Sequence, residues 1–179
     1  ENSLIATKIY KMILEGNGFE DGEFVDIGIP GYFLRRPLSV CDWEEGRMTL
    51  VYKVVGEGTK VLSEMPVGSE LEVLTGLGKG FDPEACRERA LLVGGGLGVP
   101  PLLLLAKRLK AQGKRVTAVL GFNKADEIIL ADEFRGICDE VLISTVDGSV
   151  GFKGFVTDAI ATGKPAFDYF YTCGPMVMM

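Results

Sequence analysis

Four short stretches carry residue types that could do chemistry. Gly94-Gly95-Gly96-Leu97-Gly98-Val99-Pro100-Pro101 follows an apolar run and precedes a second one. Glycines there let the backbone turn tightly and approach a ligand, and a helix starting at the prolines would direct its positive end at a pyrophosphate. Pro100 suits a first helical turn, where a missing N–H costs nothing. Arg35-Arg36-Pro37-Leu38-Ser39 sets a guanidinium beside a rigid proline and a hydroxyl two residues beyond it, a pairing able to hold a phosphate and to donate to a ring nitrogen. Gly56-Glu57-Gly58-Thr59 is a second glycine-flanked helix start, with backbone N–H groups and a threonine hydroxyl for phosphate. Thr172-Cys173-Gly174-Pro175 places a thiol at the end of the last apolar strand, the edge that faces the ligand crevice in an open α/β sheet. The same cysteine also reads as a small buried residue at a strand end. Two phosphate cradles imply two nucleotides, or one dinucleotide cofactor and one dinucleotide substrate.

What is missing narrows the chemistry. The chain of 179 residues has no histidine, which excludes Ser-His-Asp triads, Cys-His dyads and His-based zinc sites. Cys41, Cys86, Cys138 and Cys173 are too scattered to ligate a metal as pairs, so no metal-binding residue is assigned, and they read as thiols of a reducing, cytoplasmic compartment. With 19 basic and 25 acidic residues and no basic cluster beyond Arg35-Arg36, nucleic acid is not an expected partner. The apolar run from Leu91 to Ala106 is glycine- and proline-broken and too short to span a bilayer, so no membrane is expected either.

The elements that must position these stretches differ between the two halves. Residues 1–82 read as strands at 5–14, 24–29, 34–40, 47–55 and 70–74 with one helix near 58–63, a small antiparallel β-barrel. From residue 83 the pattern becomes strand (90–93), glycine turn, helix (98–111), strand (115–121), strand (140–144), helix (155–161) and strand (169–172). That alternation predicts a parallel α/β domain covered on both faces. Met176-Val177-Met178-Met179 after Gly174-Pro175 reads as the first turn of a further helix, and a continuation past Met179 is expected.

In this order the motifs resemble the ferredoxin-reductase-like flavoenzymes, and Leu34 to Val40, Gly56 to Ser63 and Gly148 to Asp158 resemble, within them, the electron transfer subunits of NAD-dependent dihydroorotate dehydrogenases. The resemblance implies an FAD-binding β-barrel over 1–82 and an NAD-binding α/β domain over 83–179. FAD would lie along Arg36, Pro37, Leu38 and Ser39 and the strand Val51-Tyr52-Lys53, its pyrophosphate held by Arg36, Gly58 and Thr59. NADH would dock on Gly94, Gly95, Gly96 and Gly98, its nicotinamide near Cys173, Gly174 and Pro175, with Ser39 and Cys173 nearest the hydride transfer. Electrons would leave singly through a 2Fe-2S cluster, whose ligands lie outside this chain, to the FMN of a catalytic subunit that interconverts dihydroorotate and orotate. A stand-alone NAD(P)H-dependent ferredoxin or flavodoxin reductase is the alternative. No acid sits cleanly at the end of the second α/β strand, where Gly121-Phe122-Asn123-Lys124 is found, but Asp126 and Glu127 are nearby, so the acidic-residue rule leaves NAD versus NADP open.

Overall fold

The computed structural model describes residues 1–16, 24–44 and 46–175; the expected helical turn at 176–179 lies outside them. Two compact units divide the chain, Glu1–Gly80 and Phe81–Met179.

In the first unit six strands, β1 (Asn2–Ala6), β2 (Ile9–Glu15), β3 (Phe24–Gly28), β4 (Arg36–Glu44), β5 (Arg47–Lys53) and β6 (Glu72–Leu77), form an antiparallel sheet. Their order is β1-β2-β5-β4-β3-β6, and among the described residues β1 and β6 are its edges. The single strand expected over 5–14 is a hairpin instead: Lys8 adopts φ 59° and reverses the chain between β1 and β2. Strand β4 changes partner midway. Arg36 to Ser39 pair with β3, whereas Val40 to Glu44 pair with β5 across a register shift between Val40 and Asp42. Val40 and Cys41 are consecutive yet both buried, as a bulge that adds one residue and bends the strand requires. Met48, Leu50 and Tyr52 alternate inward along β5 and are buried, as are Val25, Ile27 and Leu62. Leu62 belongs to helix α1 (Glu57–Glu64), which Asn2 ties to the sheet: its amide donates to the Leu62 carbonyl (2.9 Å) and its side-chain oxygen accepts from the Tyr52 hydroxyl (2.9 Å).

In the second unit β7 (Arg89–Gly95), β8 (Arg115–Phe122), β9 (Glu140–Thr145), β10 (Phe152–Lys153) and β11 (Tyr169–Cys173) form a parallel sheet in the order β10-β9-β8-β7-β11. Helices α2 (Pro100–Ala111) and α3 (Ala131–Ile137) pack together against one face. Helix α4 (Val156–Gly163) covers the other, setting Val156 and Ala159 on Leu91, Val93 and Val119. The expectation of a parallel sheet covered on both faces is met, with α3 and β10 added. Helix α2 begins at Pro100 rather than at Gly98, because Gly96–Gly98 form a separate tighter turn.

Two carboxylates hold the sheet from its ends. Asp168 accepts the backbone N–H groups of Arg87 (2.9 Å), Glu88 (2.9 Å) and Arg89 (2.7 Å), which aligns β11 on β7 and holds its carboxyl at a pKa of about 2. Asp139 accepts Val116 N–H (2.7 Å) and the Lys110 ammonium (2.9 Å) in the same manner. Among the described residues no helix is long and apolar enough to cross a membrane.

Candidate functional site

The bend in β4 builds the first cradle. The β4–β5 ladder stops at Val40 opposite Leu50, because residues 36–39 have turned to pair with β3. Val51 to Lys53 therefore run on without a β4 ladder partner, and the two strand segments diverge. Pro37 is exposed at this end, while Leu38 and Ser39 are half-buried. Val51 is buried, and Tyr52 points into the core at 1% exposure, stacked on Tyr10 with its pKa pushed up to about 12 by burial. The Tyr52 ring thus has no face left for a ligand, and of this expected contact only its backbone and the flanking Val51 and Lys53 remain.

Arg36, Gly58 and Thr59 are brought together. The Arg36 guanidinium donates to the Leu34 carbonyl (2.6 Å), lies over the Tyr32 ring (5.5 Å to the centroid) and packs on Gly58. A Cβ at Gly58 would stand 2.5 Å from Arg36 Nε, so only glycine admits the guanidinium there. The Thr59 hydroxyl accepts from Val55 N–H (3.0 Å) and Gly56 N–H (3.2 Å) and donates to Gly56 O (3.0 Å). It shapes the turn into α1, and the donors left facing outward are the first backbone N–H groups of the helix. A fixed guanidinium beside a helix N-terminus juxtaposes two positive ends, an arrangement that an anion resolves. Sequence reasoning missed Tyr32, which supports Arg36 from four residues upstream; an aromatic at that distance from a strand arginine carries no signal by itself.

The second cradle lies at the carboxyl ends of β7 and β11, where the strand order reverses and open α/β sheets bind ligands. Cys173 pairs with Gly94. A Cβ on Gly98 would strike the Cys173 carbonyl and lie 2.6 Å from Gly174 N; one on Gly174 would lie 3.1 Å from Gly95 N. Gly96 takes φ +52° with open space beside it. The two motifs far apart in sequence, Gly94 to Gly98 and Cys173-Gly174, are thus one piece of structure, with Pro175 exposed next to it. Pro100 and Pro101 have no N–H, and Leu102 N–H is bonded to Val99 O (3.1 Å). Donors to an anion therefore come from the glycine turn rather than from the first turn of α2.

Among the described residues no three His, Cys, Asp or Glu side chains are grouped to hold a metal ion. All four cysteines are thiols rather than disulfides, and burial pushes Cys138 up to about 12, far from a reactive thiolate.

An antiparallel sheet carrying a guanidinium cradle, followed by a parallel sheet with a glycine loop at its switch point, defines the ferredoxin-reductase-like class of flavoprotein. Solved structures agree: the chain superposes on an NADH-dependent reduced ferredoxin-NADP oxidoreductase with a TM-score of 0.83 and 34% identity, covering 99% of this chain and 67% of that one. The fold is shared with phthalate dioxygenase reductase at a TM-score of 0.80 and 21% identity, over 100% of this chain and 60% of that one. No family model matches the chain. Curated relatives narrow the class. The chain is 43% identical over 194 residues to the "Dihydroorotate dehydrogenase B (NAD(+)), electron transfer subunit" of Fusobacterium nucleatum, covering 100% of this chain and 74% of that protein. It is 42% identical over 186 residues to the subunit of the same name from Bacillus cereus, covering 98% and 71%. The chain belongs to the family of dihydroorotate dehydrogenase B electron transfer subunits.

Proposed function

We propose that the first unit binds FAD, that the second binds NADH, and that the chain passes electrons from NADH to a catalytic partner subunit of a dihydroorotate dehydrogenase, one that carries FMN. The observation that carries this reading is the Arg36 guanidinium seated on Gly58 at the positive end of α1. Glu57 is the acidic residue of that first turn, and the guanidinium set beside the helix N–H groups fits a pyrophosphate.

The residues divide the work. Arg36 and the N–H groups of α1 hold the FAD phosphates, and Thr59 keeps the turn open for them. Pro37, Leu38 and Ser39 on one side and Val51 to Lys53 on the other flank the flavin ring, with the Ser39 hydroxyl available to a ring nitrogen. The turn at Gly94 to Gly98 takes the NADH pyrophosphate, and Cys173, Gly174 and Pro175 line the place for its nicotinamide. FAD, when bound, supplies the hydride acceptor and the conversion of two-electron to one-electron transfer. The described residues offer no ligand set for a 2Fe-2S cluster.

Reconstitution tests the reading. The purified chain incubated with FAD and desalted is expected to be yellow with equimolar flavin, and to bleach when NADH is added without oxygen. A colourless chain that retains no flavin overturns it. The 34% identical ferredoxin-NADP oxidoreductase supports a second reading, a reductase serving a ferredoxin; failure to co-purify an FMN-containing subunit from cells would favour it.

A further inference from the structure

We propose that Asp147 selects NADH against NADPH, by accepting a hydroxyl of the adenosine ribose and repelling a 2′-phosphate. This rests on the reading that the second unit binds a pyridine dinucleotide. In such sheets the acid that meets the ribose stands at the end of the second strand. Here that strand, β8, ends in Phe122-Asn123-Lys124, an amide and an ammonium where a carboxylate is needed.

The structure supplies the carboxylate from the next strand. Beyond β9 the chain folds back onto the end of β8, with Val146 N–H on Phe122 O (3.1 Å), Asp147 N–H on Asn123 O (3.2 Å) and the Ser149 hydroxyl accepting Ala125 N–H (2.9 Å). Asp147 is thereby fixed beside the position the sequence leaves without an acid. One of its oxygens, Oδ1, accepts Ser149 N–H (2.9 Å) and Ser149 O–H (2.6 Å), which orients the carboxylate. Those same bonds lower its pKa below the usual carboxylate value, so it is charged at neutral pH. The Lys124 ammonium is paired with Asp126 (2.8 Å), and the Lys153 side chain lies against Gly148. The same two loops line a cavity of about 380 Å³ whose walls include Ala125, Ile128, Ile143 and Val150 together with Asp132, Glu133 and Arg135.

The test is nucleotide binding to the whole chain, followed by nucleotide fluorescence, with NADH and NADPH as the probes. Asp147→Asn keeps the acceptor for Ser149 and removes only the charge. The parent is expected to bind NADH more tightly than NADPH. The variant should narrow that ratio about ten-fold, mainly by gaining NADPH affinity, as expected for a unit charge roughly 5 Å from a phosphate dianion in water-like screening. The effect should fade as salt is raised. Glu127→Gln, an equal charge change in the same loops, should leave the ratio within about two-fold of the parent. A parent that binds NADH with a ratio unmoved by Asp147→Asn overturns the role of Asp147 and leaves the nucleotide reading intact. A parent that binds neither nucleotide overturns the reading beneath it.

Discussion

Replacing Gly58 with alanine separates the stability of the first unit from its capacity to hold FAD. Gly58 is the second residue of α1, and an added Cβ would stand 2.5 Å from Arg36 Nε and against Nη2. The atoms in the way are the end of a flexible side chain, so the guanidinium leaves and the backbone stays. Alanine in a helix is favoured over glycine by about 0.5–1 kcal/mol. Arg36 meanwhile gives up its bond to the Leu34 carbonyl, a net loss of about 0.5–1.5 kcal/mol near the surface. These offset, so the unfolding free energy should move by less than about 1 kcal/mol. A bound phosphate, by contrast, loses charge-assisted hydrogen bonds worth about 1.5–3 kcal/mol, which raises the FAD dissociation constant by roughly ten- to 150-fold. Denaturant unfolding of the flavin-free chain and quenching of FAD fluorescence on titration measure the two quantities. Arg36→Ala should show the same loss of FAD without the helix gain. An FAD affinity within about two-fold of the parent in both variants would refute the guanidinium cradle. A joint fall of affinity and stability in Gly58→Ala would show that Gly58 serves packing alone.

Gly98→Ala should behave in the opposite way. Its Cβ meets the backbone of Cys173 and Gly174, which cannot swing aside, so the second unit should lose about 1–3 kcal/mol of stability together with NADH binding; a normal thermal midpoint would contradict the contact. Asp168→Asn should lower the thermal midpoint at neutral pH. The native carboxyl titrates near 2 against an ordinary 3.8, so its contribution is present above 3.8 and is lost as pH falls toward 2. The difference between Asp168→Asn and the parent should therefore shrink over that interval, and a difference constant with pH would count against the three N–H bonds.

The two-unit architecture was legible because the apolar pattern changes kind near residue 82, from short strands between turns to continuous strands alternating with helices. The glycine turn was legible because six of its eight residues are glycine or proline. Less was visible where tertiary structure decides. Lys8 turns a hairpin with φ 59°, a conformation that glycine or asparagine would have announced. Helix α3 is seven residues long with only Ala131 and Phe134 buried, too short to show a period. The burial of Tyr52 depends on Asn2, fifty residues away. Asp147 could not be placed beside the end of β8 from spacing, since two backbone bonds between loops put it there.

Charge distinguishes the two cradles and agrees with their different tenants. The first sets a guanidinium, bonded to Leu34 O and lying over Tyr32, beside a helix N-terminus, so a dinucleotide there meets a preorganised positive field. Residues 94–101 and 172–175 contain no lysine or arginine, and two prolines strip donors from the start of α2. An anion at that turn would meet backbone N–H groups and no side-chain cation from these two stretches. A cofactor that must stay through many turnovers needs the first arrangement. A substrate that must arrive reduced and leave oxidised needs the second, because each additional fixed charge on its pyrophosphate would slow release of the product as much as it favoured binding of the substrate.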